Sequence, residues 1–236
     1  MKAFIVHAHP EPQSFNGALT STAIAALQQA GHEVSVSDLY AMRWEARSDR
    51  QNVTTVANAD VYKQQVEELF ALSNAGFNQD IQQEMDKLFA CDLLILQFPL
   101  WWFSMPAILK GWIDRVFAMG TIYGHGRWYD NGVFSGKRAM LSLTTGGAAS
   151  MYGRDGINGD IESLLFPIQH GILRLVGFDV LAPFISWEPA RCTPAVRAKY
   201  LANYKARLAQ FETESPLTFP HLSDYDPISF RLRKPH

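Results

Sequence analysis

Asp92-Leu93-Leu94-Ile95-Leu96-Gln97-Phe98-Pro99-Leu100-Trp101-Trp102-Phe103 is a solid apolar run that breaks at a proline and ends in three consecutive aromatics. Leu93 to Leu96 shows no polar alternation, so both faces of a strand built from it must be covered by protein. That is the condition of a parallel strand inside an α/β sheet. Pro99 has no N–H to donate and is expected to stop the ladder. Open α/β sheets bind ligands beyond the carboxyl ends of their strands, and Trp101, Trp102 and Phe103 stand at such an end.

Upstream, residues 3–6 read as a short strand, and His9-Pro10-Glu11-Pro12-Gln13 separates it from a helical pattern running from Ser14 to about Ala30. Gly31 follows at the position that commonly ends a helix. Residues 33–38 alternate as a half-covered or edge strand does, which makes the opening β-α-β. Residues 39–59 have no clean period and scattered charge, and read as a surface excursion ahead of two helical segments at 61–72 and 80–89. Downstream of the quoted stretch, Pro106 suits the first position of a helix that carries Ile108, Leu109, Trp112, Ile113, Val116 and Phe117 at helical spacing. Residues 138–145 form a strand ending in Thr144-Thr145-Gly146-Gly147, 161–176 a helix closed by Gly177, and 180–185 a fifth strand. Thr193-Pro194 caps a last helix to about Phe211. The pattern predicts one α/β domain over residues 1–212, a flavodoxin-like doubly wound parallel five-stranded sheet of order 2-1-3-4-5. Residues 213–236, with Pro216, Pro220, Pro227 and Pro235, form no obvious element and are expected to be a C-terminal tail packing on the domain or a dimer.

A chain of 236 residues can bury a full core, and 47% hydrophobic and 19% charged residues are ordinary globular values. A formal net charge of -2 offers no general attraction to nucleic acid or an anionic membrane. Cys91 and Cys192 lie far apart with no CxxC or Cys/His spacing, which points to a reducing compartment and away from a structural zinc. No stretch approaches the ~20 apolar residues of a membrane span, and the expected location is the cytoplasm.

Three carboxyl-end loops should converge on one crevice: residues 9–16, 99–103 and 144–152. The first runs into a helix N-terminus, whose free N–H groups favour an anion such as a diphosphate, with His9 and Ser14 as further donors. Ser14 can equally serve as a plain helix cap. GxGxxG and GxxxxGK[ST] are both absent, which disfavours a wrapped NAD and P-loop chemistry. Gly146 and Gly147 allow backbone N–H groups close to a ring edge, and Trp102 and Phe103 offer π faces. The expected occupant is a flat, electron-accepting ring. No Ser-His-Asp, Cys-His or HExxH constellation is present, and the stretch from Asp155 to Asp160 lacks the later glutamate of a calcium loop, so a cofactor must carry any reaction.

Gln97-Phe98-Pro99-Leu100-Trp101-Trp102-Phe103, continuing through Pro106-Ala107-Ile108-Leu109-Lys110-Gly111-Trp112, resembles the signature of the NAD(P)H:quinone oxidoreductases of the DT-diaphorase type. Ser14-Phe15-Asn16, Ser37-Asp38-Leu39-Tyr40-Ala41-Met42, Ser150-Met151-Tyr152 and Pro167-Ile168-Gln169-His170-Gly171 support it, and the resemblance runs to about residue 212. It implies a non-covalent FAD, NAD(P)H as co-substrate, and a two-electron ping-pong transfer through flavin N5 to a quinone or similar flat acceptor. By matching positions, His9, Ser14, Phe15, Asn16 and Ala18 hold the phosphates and ribityl chain, and Arg197 lies nearer the adenine half. Pro99, Leu100, Trp101, Trp102, Phe103, Thr144, Thr145, Gly146, Gly147 and Tyr152 line the isoalloxazine. The family is a homodimer with the active site at the interface, and Tyr123 and His125, in the long loop of residues 119–136, stand where the partner contributes residues. Substrate contacts fall to Trp102, Phe103, Tyr123, His125, Tyr152 and Asn158.

Catalysis by resemblance falls to Tyr152 and its companion, a histidine in the family that is Asn158 here. One branch, which uses dihydronicotinamide ribosides, also has asparagine there. That branch binds a metal through two histidines and a cysteine. In this sequence His170 matches one ligand while Arg174 and Thr218 take the other places, so no metal is expected. Two other readings are a flavin-dependent azo or nitro reductase, with FMN in place of FAD, and a flavoprotein regulatory subunit of a potassium efflux system.

Overall fold

The computed structural model describes residues 1–233, so Pro235 of the expected tail lies outside the described residues. Strand β3 (Leu93–Pro99) is buried along its whole length, as an unalternating apolar run requires. On one side it pairs in parallel with β1 (Lys2–His7), which pairs with β2 (Glu33–Asp38). On the other side it pairs with β4 (Arg138–Thr144). The order is β2-β1-β3-β4-β5, the flavodoxin-like order expected from the sequence.

Alternate residues of β3 feed opposite layers. Leu93 and Ile95 join Ala3, Ile5 and Met140 under helices α1 (Phe15–Gln29) and α6 (Pro194–Leu208). Leu94, Leu96 and Phe98 join Phe4, Val6 and Leu141 on the other face. That face is covered by α3 (Gln79–Ala90), α4 (Ala107–Val116) and α5 (Ile161–Ile168), while α2 (Gln64–Ser73) contributes Ala71. Cys91 is packed inside, and burial pushes its thiol up to about 12, so it is an inert thiol.

Five expectations need correction. Pro99 does not stop the ladder: it pairs with Thr144, and the Leu100 amide still donates to the Thr144 carbonyl at 2.8 Å. The fifth strand is two short pieces, β5 (Asp179–Val180) against Arg138 and Ala139, and β6 (Phe184–Ser186) against residues 142–144. Pro183 between them has no N–H for the ladder, which accounts for the gap. Pro106 is the residue before α4 rather than its first turn. The expected helix over 161–176 is α-helical only to Ile168 and widens into a π segment, Gln169–Arg174, next to Pro167, which cannot donate the helical bond. The excursion over 39–59 is not superficial, because Leu39, Trp44, Asn52 and Val53 are buried. Arg115 from α4 lies over the Trp44 ring at 4.5 Å and donates to Asn52 Oδ1 at 2.9 Å and to the Glu45 carbonyl at 3.0 Å. A Cβ on Gly111 would come within 2.2 Å of the Ala46 carbonyl, so that glycine is what lets the segment close on α4.

The tail runs back over the domain. Leu217 donates to the Val180 carbonyl at 2.7 Å, and Arg138 to the carbonyls of Phe211 and Glu214 at 2.8 and 2.6 Å. Asp130 accepts from the Leu222 amide at 2.6 Å and pairs with His221 at 3.3 Å and with Arg174. Burial alone would raise the Asp130 carboxyl, but these partners together hold it below the usual range.

Candidate active site

Where β1, β3, β4 and β6 end, their loops enclose two joined hollows that share Leu100 and Gly146. The inner hollow, about 560 Å³, is lined by His9, Gln13, Ser14, Phe15, Asn16, Ala18, Pro99, Leu100, Trp101, Thr144, Thr145, Gly146, Pro189, Ala190 and Arg197. The outer one, about 420 Å³, is lined by Leu100, Trp102, Phe103, Gly146, Gly147, Met151, Tyr152, Asn158 and Arg191.

Buried hydrogen bonds fix the inner hollow. Asn16, the second residue of α1, donates through Nδ2 to Thr144 Oγ1 at 2.9 Å and accepts from Gln97 Nε2 at 2.9 Å. One side chain thereby ties the helix to β3 and β4. Ser14 is the N-cap of α1 and its Oγ accepts from the Gly17 amide at 3.1 Å. The Phe15 and Asn16 amides, by contrast, have no acceptor among the described residues. They stand unpaired at the positive end of a helix dipole, a ready anion site. The Glu11 amide donates to His9 Nδ1 at 3.1 Å, which leaves Nε2 for a ligand. Gly17 meets the loop so closely that a Cβ there would lie 2.0 Å from the Pro12 carbonyl. Gly146 has open space where a Cβ would point, so its backbone can touch a bound ring edge. At the far end the Arg197 guanidinium donates to the Pro189 carbonyl at 3.3 Å and to the Cys192 carbonyl.

The outer hollow is built on a strained turn. Trp101 and Ser104 exchange two backbone bonds of 3.0 Å, and between them Trp102 and Phe103 have φ of 50° and 60°. Left-handed backbone costs a non-glycine residue about 1–2 kcal/mol, so two bulky aromatics there are held against their preference. Trp102 is 95% exposed and Phe103 45%, so neither is held by core packing. Tyr152 is buried against Trp187 at 5.4 Å between ring centroids, and Asn158 is anchored by its amide on the Met151 carbonyl at 2.9 Å.

All the expected cofactor positions therefore meet in one crevice, together with Tyr152 and Asn158. Tyr123 and His125 do not line it within the single chain. Tyr123 accepts a bond from Gln65 Nε2 at 3.2 Å, and His125 occupies a left-handed turn between Gly124 and Gly126. Gln13 and Met151 lie in loops that the sequence placed at the crevice but carried no assigned role, and the loop after β6, which brings Pro189, Ala190 and Arg191, was missed. A strand was expected at 180–185, but the loop that follows it was not counted among those that form the crevice.

His170 is stacked on Phe166 at 4.7 Å, with Tyr129 and Phe219 at 5.2 Å, and burial and then Arg174 lower its pKa. Arg174 is committed to Asp130. No group of three His, Cys, Asp or Glu side chains converges as a metal set among the described residues, where no helix is long and apolar enough to cross a membrane either.

A family model described as "Flavodoxin-like fold" matches residues 1–211. The human ribosyldihydronicotinamide dehydrogenase [quinone] is 45% identical over 217 residues, covering 92% of this chain and 94% of that protein. The guinea pig (Cavia porcellus) NAD(P)H dehydrogenase [quinone] 1 is 43% identical over 226 residues, 95% of this chain and 82% of that one. A crystal structure from Klebsiella pneumoniae, assigned as a quinone reductase, superposes with a TM-score of 0.94 at 44% identity, over 99% of this chain and 94% of the other.

Proposed function

From the premise that this chain belongs to the flavodoxin-like fold family and, within it, to the NAD(P)H:quinone oxidoreductases, we propose that it is an FAD-dependent NAD(P)H:quinone reductase. The single observation that carries the reading is the crevice itself. An anion-ready helix start, an open glycine edge and aromatic walls lie in the order that a dinucleotide with a flat ring requires. Two joined hollows, with Arg197 beyond the helix start, favour FAD over the shorter FMN.

Bound there, FAD would supply two-electron chemistry, taking a hydride at N5 from NAD(P)H and passing one to a quinone that enters after the nicotinamide leaves. The residues hold and orient. The Phe15 and Asn16 amides and His9 bind the diphosphate, and the Asn16–Thr144–Gln97 bonds keep those amides in place. Gly146 and Gly147 present backbone to the ring edge. Trp102 and Phe103 confine the acceptor and exclude water. Tyr152 and Asn158 donate hydrogen bonds at the pyrimidine edge, and neither side chain is an imidazole that could take up a proton near neutral pH. Tyr123 and His125 belong, on this reading, to the partner's site in a homodimer, the protein works in the cytoplasm, and residues 213–236 serve the 1–212 domain as its tail. Asn158 and the name of the human relative favour a dihydronicotinamide riboside as a donor beside NAD(P)H.

Purified protein should be yellow, release FAD by mass, and bleach anaerobically with NADH, NADPH or a dihydronicotinamide riboside in a stopped-flow titration. Colourless protein that takes up no added FAD would sink the proposal. Slow bleaching by all three donors would separate flavin binding from turnover and favour a regulatory role.

A further inference from the structure

The walls of the outer hollow are mostly apolar and aromatic, with Asn158 as its neutral polar residue, and no carboxylate lines it among the described residues. Among the described residues its one charged lining residue is Arg191. Arg191 stands on the loop after β6, where its amide donates to the Glu188 carbonyl at 2.9 Å and Glu188 takes a left-handed φ of 40°. Its guanidinium has no hydrogen bond and no ion pair among the described residues, while that of Arg197 in the inner hollow is spent on two carbonyls of its own loop. A free guanidinium beside a flat apolar slot combines two recognition modes. The walls select a planar ring, and the fork selects an anionic group attached to it.

Resting on the quinone reductase reading, we propose that Arg191 makes the outer hollow a receptor for flat acceptors carrying an anionic substituent, a carboxylate, a sulfonate or an ionised ring hydroxyl. The guanidinium carries a fixed positive charge in a planar fork that matches two oxygens of such a group. Arg191 is exposed, so the pair is screened by solvent and its contribution is modest and salt-sensitive. The anionic substituent takes no part in electron transfer. It sets the position of the ring against the shared wall at Gly146 and Leu100, and hence which ring carbon faces the inner hollow.

The test uses FAD-loaded oxidised protein and two anthraquinones, the 2-sulfonate and the neutral 2-hydroxymethyl compound, titrated by perturbation of flavin absorbance. In Arg191→Ala the dissociation constant for the sulfonate should rise relative to that for the neutral ring by about tenfold, the scale of a partly exposed charge-assisted bond. Arg191→Lys should fall between, because a point charge keeps attraction without the fork. Added NaCl should shrink the wild-type preference and leave the Arg191→Ala ratio flat. A ratio that moves less than about twofold in Arg191→Ala overturns the proposal, since Arg191 would then only shape the slot. Flavin-loaded wild type that binds both rings without regard to charge also overturns it while leaving the quinone reductase reading intact. Protein that binds no flavin and reduces neither ring removes both.

Discussion

The inner and outer halves of the crevice are stabilised by opposite means. In the inner half, buried Asn16 exchanges two hydrogen bonds with the sheet, and the helix start it fixes is continuous with the core. In the outer half, two aromatics project from a left-handed turn, Trp102 almost wholly and Phe103 in part into solvent, and among the described residues the backbone bonds of Trp101 and Ser104 close it. The first half is tied to the sheet by buried hydrogen bonds. The second is held by a local turn, at a cost in backbone energy. Strain of this kind persists where function requires a geometry that sequence preference opposes. A site divided in this way can keep its cofactor while its acceptor slot is remodelled by substitution.

The largest effect should come from breaking the inner half. Asn16→Leu keeps the volume but leaves Gln97 Nε2 and Thr144 Oγ1 buried without their partner, a cost of about 1–3 kcal/mol. Urea unfolding should register that loss in the midpoint with an unchanged slope. Flavin affinity should fall with it, because the Phe15 and Asn16 amides lose their anchor. If the midpoint stays at the wild-type value, the inner half is not held by this network and the contrast between the halves fails.

A smaller and opposite signature is expected outside. Trp102→Gly removes a side chain that packs on almost nothing and frees a residue from φ of 50°. The relief of about 1–2 kcal/mol is partly offset by the roughly 0.5–1 kcal/mol of backbone freedom that glycine loses on folding. Stability should therefore hold or rise slightly, while acceptor stacking weakens by about 1 kcal/mol. Urea melts paired with acceptor titrations read both quantities. Destabilisation beyond about 2 kcal/mol would mean that the turn depends on tertiary packing after all.

The same division governs what could be read from sequence. Leu93–Leu96, the helix caps at Ser14 and Thr193, and Thr144-Thr145-Gly146-Gly147 announce strands, helix starts and a ligand edge through local rules, and the sheet order follows from them. The Asn16–Gln97–Thr144 bonds join residues up to 128 positions apart, so no local pattern predicts them, although the family resemblance brought Asn16 and Thr144 to the site. Arg191 was missed for another reason: a strand is legible at 180–185, but Pro183 splits it into two short pieces and the loop that reaches the crevice follows only the second, β6. Residues 39–59 looked like a surface excursion because their period is irregular. What buries them is Trp44 under Arg115 and the bare backbone of Gly111, both contacts made at long range.

The smallest expected effect concerns protons, and it again separates the halves. His7 ends β1 beneath the inner half, buried, with its Nδ1 2.8 Å from Thr20 Oγ1. Burial lowers its pKa below 6.5, and nearby His9 pushes the same way against Asp38 and a backbone bond to His9. Above pH 6.5 the ring is neutral folded or unfolded, and it costs nothing. As the pH falls below that value the unfolded chain takes up a proton that the folded chain refuses, so stability declines until the folded pKa is passed. The outer half has Asn158, which does not titrate. Wild-type stability should be level from pH 8 to about 6.5 and then fall by less than about 1 kcal/mol on reaching pH 6. His7→Gln should flatten that fall without abolishing it, because His170 is lowered in the same direction. Asn158→His should leave the stability profile alone and instead add a pH-dependent step to flavin reduction between pH 5 and 8. Stability curves of wild type and His7→Gln that coincide through this range would move the acid sensitivity away from the inner half. A flat reduction profile in Asn158→His would show that the outer half does not sense the charge of the ring.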